Sequence, residues 1–364
     1  MRVKIQGFLY QMHSWAKVNY SIGEALINLG HDVELIPTDA DKPCHLPERL
    51  KQYERKVPEG MYDLQFGYTA LLNANAYFQS GNKNRFLTWA YEYGGKNVLP
   101  AGFAKYYKFI DKILAPSNFC KQIFIDGGVP AEVIVAVPHG INLDEPKTVY
   151  PLKTKKKYKI GMIIGQPHKR KNLANAFKAF GQAFNKNDDI CLVAKIASKN
   201  NIKGSSFEIN FNEMYNNFKK DFPNHAEIEL ITDYVENINE IYNACDTIYT
   251  LSYTEGWYLP GLEGINAGKL NIAPRYGGQL DFLNDNNSLL IDIEIVRAPK
   301  DHLYWTPSSF AEHSNPNIKH ATQLLRQSYE QYDRLMSKFM PNIIETRNKY
   351  TWENAAKQIL ELCV

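Results

Sequence analysis

One segment of the sequence, residues 247–268, constrains the fold of the chain more than any other. It begins with an apolar run, Thr247-Ile-Tyr-Thr-Leu251, that is typical of a buried strand. After a polar turn comes Pro260, which suits the first turn of a helix, and then Gly268, which suits the position just past a helix end. The segment therefore predicts a strand, a loop and a helix from Pro260 to Ala267, the repeating unit of parallel α/β sheets.

The junction between this loop and helix carries residues suited to binding chemistry. The amides of Gly256 to Leu259 lie at the helix N-terminus, where free N–H groups and the helix dipole attract anions. Glu255 and Glu263 flank these amides, and carboxylates grip hydroxyl groups rather than phosphate. An anion site between two carboxylates predicts a ligand that joins a sugar to a phosphate. The structural alternative is an ordinary helix start with two solvated carboxylates.

The same residues resemble a known family. The run Glu255-Gly-Trp-Tyr-Leu-Pro-x-x-Glu263 resembles the E-x7-E signature of retaining glycosyltransferases of family 4, and Gly277-Gly278-x-x-Asp281-Phe282 fits the pattern that follows it. Pro138-His139-Gly-Ile-Asn142 resembles the family's P-H-G-[IV]-D segment, with Asn142 in place of the usual aspartate. The resemblance implies an α/β protein of the GT-B fold, with two Rossmann-like doubly wound domains facing each other across a cleft.

A basic segment forms the second element of the resemblance. His168-Lys-Arg-Lys171-Asn172 follows a predicted strand, Ile160–Ile164, and resembles the family's R-K-N-L segment, whose basic pair contacts the phosphates of the donor. Lys171 matches this pair best and Arg170 second. Gln166 departs from the family pattern, which often has an arginine directly after the glycine. The alternative is a solvated basic loop.

The resemblance implies a hexosyl- or pentosyltransferase that moves a sugar from a nucleotide sugar, with a UDP-sugar as the expected donor. Glu255 would orient the sugar, while Arg170 and Lys171 would stabilise the departing diphosphate. Glu263 would hold the ribose hydroxyls. The implied donor-binding residues are Gly165, Gly256, Trp257, Tyr258, Leu259 and Glu263. In this family the leaving phosphate takes the proton of the acceptor, so neither a metal nor a further cofactor is implied.

The first part of the chain also predicts a strand, loop, helix and strand, with strands at Arg2–Gln6 and Val33–Ile36. Ligands bind at the carboxyl ends of parallel strands, so the loop after the first strand is expected at a binding edge. This loop contains no G-x-G-x-x-G motif, so the sequence gives little support to dinucleotide binding. The candidate acceptor-side residues are Gly7, His13, Ser14, Trp15, Glu92 and His139. For Glu92 a structural ion pair, and for His139 a structural role, are the alternatives.

The expected domains are an acceptor-side domain at 1–150, a nucleotide-sugar domain at 151–340 and a C-terminal helix at 341–364. Thr351-Trp352-Glu-x-Ala-Ala356 resembles the family's terminal W-x-x-A-A helix, which packs back on the first domain. Between the domains, six lysines without an acidic residue lie from Lys147 to Lys159. This segment is interpreted either as a solvated linker or as an attachment point for an anionic membrane or polynucleotide.

Composition narrows the class of protein further. The chain has 364 residues, of which 44% are hydrophobic and 22% charged, as in ordinary globular proteins. No apolar run approaches the roughly 18 residues of a membrane span, and no signal peptide is recognisable. Five scattered cysteines favour reduced thiols, and a cytoplasmic protein is expected. Asp39-Ala-Asp41 matches a D-x-D metal motif of another glycosyltransferase fold, but a three-residue match in a loop is expected by chance.

The sequence leaves the acceptor and the oligomeric state open. Small molecules, glycans, lipids, proteins and modified DNA bases are all compatible with it. Its Lys-, Asn- and Tyr-rich composition is similar to that of viral enzymes. The specific hypothesis that this favours is a viral glycosyltransferase that modifies hydroxymethylated DNA bases in a host cytoplasm. That function would need a cationic face, yet residues 1–145 carry 15 Lys plus Arg against 15 Asp plus Glu. A non-catalytic protein that binds nucleotide sugars or glycans is the alternative of another class.

Overall fold

The computed structural model describes residues 1–11, 13–39, 46–196, 209–303, 305–307 and 309–363. The chain divides into two compact units, each discontinuous in sequence. Unit 1 comprises Met1–Ile141, Pro307–Phe310 and Lys349–Val364. Unit 2 comprises Asn142–Thr306 and Ala311–Asn348. The domain boundaries expected at 150 and 340 stay predictions.

Unit 1 contains a six-stranded parallel sheet. Its strands are β1 (Arg2–Gly7), β2 (Asp32–Pro37), β3 (Leu64–Tyr68), β4 (Arg85–Thr88), β5 (Lys112–Ala115) and β6 (Ile134–Ala136). They lie in the order β2-β1-β3-β4-β5-β6, and every neighbouring pair is parallel. Its helices are α1 (Ser14–Asn28), α2 (Ala74–Tyr77) and α3 (Asn118–Asp126), joined near the C-terminus by a helix described below. Helix α1 covers β1, β2 and β3, burying its apolar face.

Unit 2 repeats this architecture. Its parallel strands are β7 (Tyr158–Ile164), β8 (Ile190–Ile196), β9 (Glu227–Ile231), β10 (Thr247–Tyr249), β11 (Leu270–Pro274) and β12 (Ser288–Ile291). Their order is β12-β11-β10-β7-β8-β9. All seven residues of β8 are buried, because helices cover both faces of such a sheet. The strands predicted from the sequence lie within two residues of those observed.

The helices of this half are α4 (Leu173–Ala183), α5 (Phe211–Asp221), α6 (Asn239–Ala244), α7 (Leu259–Asn266), α8 (Ile318–Glu330) and α9 (Tyr332–Lys349). The last helix, α10 (Trp352–Glu361), belongs to unit 1, where it packs on α1. None of the helices in the described ranges combines the length and the hydropathy that a bilayer span requires.

One element of unit 2 was not predicted. Strands β13 (Ile293–Arg297) and β14 (Glu312–Pro316) form an antiparallel pair apart from the two parallel sheets. Three of the five residues of β13 are exposed and none is buried. The alternation Ile291-Asp-Ile-Glu-Ile295 continues directly from β12 into this strand, so the sequence marks no separate start for it.

The lysine-rich segment lies along unit 2. Tyr150 and Leu152 pack against a core cluster of this unit, and the N–H groups of Lys153 and Thr154 each donate to the Glu229 carboxylate at 2.9 Å. These contacts make the segment part of unit 2 rather than a free linker.

The described cysteines are free thiols. Cys120, Cys191 and Cys245 are buried and Cys363 is half-buried, whereas Cys44 lies outside the described residues.

Candidate active site

The loop between β10 and α7 carries most of the predicted site. Helix α7 begins at Leu259, one residue before the predicted start, has Pro260 in its first turn and ends before Gly268, whose φ is +70°. The residue before the helix, Tyr258, has the left-handed values φ 75° and ψ 61°. Such a conformation costs a large side chain on the order of 1–3 kcal/mol. Gly261 gives room for it, because a Cβ atom there would collide with the ring of Tyr258.

The three predicted catalytic residues meet in one cluster. Arg170 donates from Nη1 to Oε2 of Glu255 at 2.8 Å, and Lys171 donates from Nζ to Oε1 at 2.7 Å. The side chains of Arg170, Lys171 and Glu255 are only 8%, 15% and 7% exposed. Two cations share one carboxylate, so the buried cluster carries one excess positive charge.

The charge state of Glu255 follows from this pairing. Burial alone would raise the pKa of its carboxyl, but Arg170 and Lys171 outweigh that effect and lower the pKa to about 2. The carboxylate is therefore ionised at neutral pH and holds both cations in place.

Backbone contacts join the chain segments that supply these side chains. The N–H of Tyr253 donates to the carbonyl of Arg170 at 2.9 Å, and Nη1 of Arg170 donates to the carbonyl of Thr254 at 2.7 Å. On the other side, the N–H of Gly278 donates to the carbonyl of Glu255 at 2.7 Å. The Gly-Gly turn of the family pattern thus supports the backbone of Glu255.

The remaining donor-side candidates lie in the same loop, in α7 and directly after β7. Glu263 is buried in α7 beside Tyr242, and burial together with this carboxylate raises the pKa of Tyr242 well above its usual value. Trp257 packs on Phe282, with ring centroids 4.9 Å apart. Gly256 and Leu259 are buried, whereas Gly165 is exposed at the end of β7. A Cβ atom at position 165 would meet no atom of the described residues within 4 Å.

The β13–β14 hairpin and the segment between its strands contact this loop and the basic turn, and no motif in the sequence predicts these contacts. Ser314 of β14 donates its N–H to the carbonyl of Tyr253 at 3.0 Å. The ring of Tyr253 stacks on His313 and His302 at centroid distances of 4.6 and 5.1 Å. Lys169 pairs with Asp301 at 2.6 Å. The hairpin therefore supports the basic turn and the loop that ends in Glu255.

In unit 1, the candidates at the start of the chain are held by specific contacts. Gly7 ends β1, and a Cβ atom there would collide with Asn19, whose side chain bonds the carbonyl of Phe8 and the N–H of Tyr68. His13 caps α1 by accepting the N–H of Trp15 at Nδ1, at 3.2 Å. These contacts give Gly7 and His13 clear structural roles.

Ring contacts connect three of the acceptor-side candidates. Trp15 stacks on Tyr68 with centroids 4.9 Å apart, and Tyr68 contacts His139 at 5.5 Å. Trp15 also contacts the ring of His13 at 6.0 Å. Burial lowers the pKa of His139 to about 3, so its imidazole is neutral at physiological pH. This environment agrees with the structural alternative for His139.

The last two candidates of unit 1 differ in their exposure. Ser14 is exposed at the first position of α1, and Glu92 is half-buried in the segment that follows β4. Within the described ranges, no group of three or more His, Cys, Asp or Glu side chains is arranged to hold a metal ion.

Solved glycosyltransferase structures share this fold over nearly the whole chain. Anabaena HepE in complex with UDP and glucose has a TM-score of 0.72 at 13% identity, covering 99% of this chain and 98% of that one. A glycosyltransferase from Rickettsia africae has a TM-score of 0.70 at 16% identity, covering 99% and 97%. Sucrose-phosphate synthase from Thermosynechococcus elongatus has a TM-score of 0.68 at 14% identity, covering 99% and 98%.

At these identities the likeness establishes the fold, which is the GT-B fold predicted from the sequence. No protein-family model matches the chain, and no curated protein matches it in sequence. The assignment of function therefore depends on the site.

Proposed function

We propose that the chain is a glycosyltransferase that moves a sugar from a nucleotide sugar, in the first instance a UDP-sugar, to an acceptor hydroxyl. The carrying observation is the buried cluster in which Arg170 and Lys171 converge on Glu255 beside the start of α7. Structures of the same fold include HepE bound to UDP and to UDP-glucose, which supports this class of donor.

The charge of the cluster suits the departure of a nucleoside diphosphate. When the bond from the sugar's anomeric carbon to the phosphate oxygen breaks, the diphosphate gains negative charge. Arg170 and Lys171 would stabilise this charge together with the amides at the start of α7. Fixed charged donors of this kind contribute a few kcal/mol each to the transition state. Because both cations are already held in place, little reorganisation is needed at the moment of reaction.

Glu255 and Glu263 have different roles in this scheme. Glu255 holds the two cations and orients the sugar from the same position, whereas Glu263, four residues into α7, would hold the ribose hydroxyls. Carboxylates are strong acceptors for hydroxyl groups, since the bond to an ionised oxygen is about twice as strong as a neutral one.

We assign the retaining mechanism and family 4 from the Glu255-x7-Glu263 pattern. In that mechanism the leaving phosphate accepts the proton of the attacking hydroxyl on the same face of the sugar. The scheme needs neither a side-chain base nor a metal ion. Proton NMR of the first product formed from an α-linked donor tests it, because an α-linked product supports retention and a β-linked product contradicts it.

The acceptor is assigned to unit 1, at the carboxyl edge of its sheet, where Trp15 stacks on Tyr68 and contacts His13. Small sugars, glycans and hydroxymethylated DNA are the acceptors to compare. Incubating a labelled donor with each class of acceptor and measuring the incorporated label distinguishes them. Incorporation into hydroxymethylated DNA alone would identify a DNA-modifying enzyme.

The primary test is thermal stabilisation by UDP-, GDP- and ADP-sugars, followed by slow release of the nucleoside diphosphate without an acceptor. Stabilisation by one nucleotide together with release of its diphosphate supports the proposal and defines the base. Stabilisation without turnover on any acceptor would favour a non-catalytic binding protein. An absence of stabilisation by every nucleotide sugar would overturn the proposal.

A further inference from the structure

Asp39, just after β2, makes an unusual set of contacts with the loop that follows β1. Its Oδ1 accepts the N–H of Leu9 at 2.9 Å, and its Oδ2 accepts the N–H groups of Tyr10 and Gln11 at 3.1 and 2.8 Å. The residue is 2% exposed. Three consecutive backbone amides therefore converge on one buried carboxylate.

Consecutive N–H groups that point into one concavity form an anion-binding nest. In parallel α/β sheets, the loop after the first strand is a common place for a phosphate to bind. In unit 1 a carboxylate of the protein occupies this position. Tyr10 ties the same loop to a further carboxylate, donating its hydroxyl to Oε2 of Glu54 at 2.6 Å.

These contacts also bear on the D-x-D match at Asp39 and Asp41. Both oxygens of Asp39 already accept N–H groups, and a carboxylate engaged in this way is poorly suited to coordinate a metal. Asp41 lies outside the described residues.

We infer that Asp39 is a positioning residue that fills an anion nest of unit 1 with the chain's own carboxylate. It fixes the Leu9–Gln11 loop beside the His13–Trp15 helix start. Because its carboxylate occupies the three amides, a phosphate cannot bind to them. Diphosphate binding is thereby confined to unit 2, while the loop in unit 1 is left to a neutral hydroxyl acceptor. This last consequence rests on the proposed function, whereas the filled nest does not.

Chemical rescue tests the inference. Asp39→Ala removes the carboxylate and leaves the three amides, so small anions should replace it. We expect the variant to melt several degrees below the wild type, and formate, acetate or phosphate to raise its melting temperature by roughly 3 °C more than chloride at equal ionic strength. The wild type should show no such difference between anions.

The matched control is Asp63→Ala, because Asp63 is also in unit 1 but, among the described residues, accepts one backbone N–H, that of Arg2 at 2.8 Å. Equal effects of the anions on Asp39→Ala, Asp63→Ala and the wild type would overturn the inference. If Asp39→Ala does not fold, Asp39→Asn keeps the size of the side chain without its charge. Its Leu9–Gln11 amides should then exchange hydrogen at least tenfold faster than in the wild type, and unchanged exchange would overturn the inference.

A parallel titration with UDP separates this inference from the proposed function. We expect Asp39→Ala to bind UDP within about twofold of the wild type, since the donor cluster lies in unit 2. If the wild type binds no nucleotide, the proposed function fails, and the anion rescue still decides the role of Asp39. If nucleotide binds but anions rescue nothing, only the inference fails.

Discussion

Gly277 lies directly against the backbone of Glu255. A Cβ atom at position 277 would be 2.6 Å from the carbonyl oxygen of Glu255, the same oxygen that accepts the N–H of Gly278. The Gly-Gly turn therefore acts as a steric and hydrogen-bonded support for the residue on which both cations converge.

Gly277→Ala should consequently disturb the site as well as the fold. Gly277 has φ +92°, so alanine is strained there, and its methyl group would also displace Glu255. We expect a loss of about 2–4 kcal/mol of unfolding free energy, measured in urea, and at least tenfold weaker binding of UDP. The matched control is Gly268→Ala, because Gly268 also has a positive φ but a Cβ atom there would meet no atom of the described residues within 4 Å. It should lose about 1 kcal/mol and keep its UDP affinity, and equal effects of both variants would contradict the prediction.

The Glu255 carboxylate should stabilise the fold in a pH-dependent way. Its pKa in the folded protein is about 2, below the ordinary value of 4.5, so its contribution is complete above pH 4.5 and is lost as the pH falls towards 2. Wild-type stability should therefore exceed that of Glu255→Gln by roughly 3 kcal/mol at pH 7, and the difference should shrink below pH 4.5.

Urea unfolding from pH 7 to pH 3 measures this difference. Asp301→Asn is the control, because Asp301 pairs with Lys169 at an exposed position. Curves for the wild type and Glu255→Gln that stay parallel through acid pH would contradict the prediction.

Lys171 and Lys169, two lysines of the same basic turn, should contribute differently to UDP binding and to hydrolysis of the nucleotide sugar. Lys171 is buried against Glu255, whereas Lys169 is paired with the exposed Asp301. Lys171→Ala should weaken UDP binding about tenfold and slow hydrolysis of the nucleotide sugar by about a hundredfold, because it removes a fixed charge from the leaving group. Lys169→Ala removes the same charge from the same turn and should change either quantity less than threefold. Calorimetry and diphosphate release give the two numbers, and equal losses would indicate a diffuse electrostatic effect.

His139 should make unit 1 sensitive to mild acid. Burial lowers its pKa to about 3, so its neutral form stabilises the fold above the ordinary pKa of 6.5, and this contribution falls as the pH drops below 6.5. Between pH 6.5 and pH 5 the wild type should lose about 2 kcal/mol that His139→Phe does not lose. Phenylalanine keeps the ring contacts with Tyr68 and Trp352.

Chemical denaturation at each pH checks the role of His139, with His320→Phe as the control for a half-buried histidine in unit 2. A His139→Phe variant as acid-sensitive as the wild type would show that other groups are responsible.

Local patterns predicted much of the fold. Apolar runs predicted two strands of each parallel sheet within two residues, and Pro260 and Gly268 marked the ends of α7, because strand burial and helix termini are encoded by adjacent residues. The β13–β14 hairpin was not found in this way, because β13 continues the pattern of β12 without a break and β14, with the sequence Glu-His-Ser-Asn-Pro, has no apolar run.

The site was predicted only in part for a related reason. The resemblance identified Glu255, Arg170 and Lys171, but their convergence joins positions more than 80 residues apart and depends on β7 lying beside β10. Tyr253 and Ser314 act through their backbone groups, which any residue type supplies, so no sequence motif points to them. In the sequence, Asp39 is notable only as part of Asp39-Ala-Asp41, which matches a metal-binding motif. In the structure its carboxylate accepts backbone N–H groups of a loop nearly 30 residues earlier.

The path of the chain through unit 1 has a consequence for synthesis. Ile141, where the chain leaves this unit, exchanges backbone hydrogen bonds with Tyr350 and Trp352, where the chain returns to it, and α10 then covers α1. On the ribosome, all of unit 2 emerges between these two points. Its sheet can form before α10 is synthesised, whereas unit 1, although begun first, lacks part of its core until α10 has emerged.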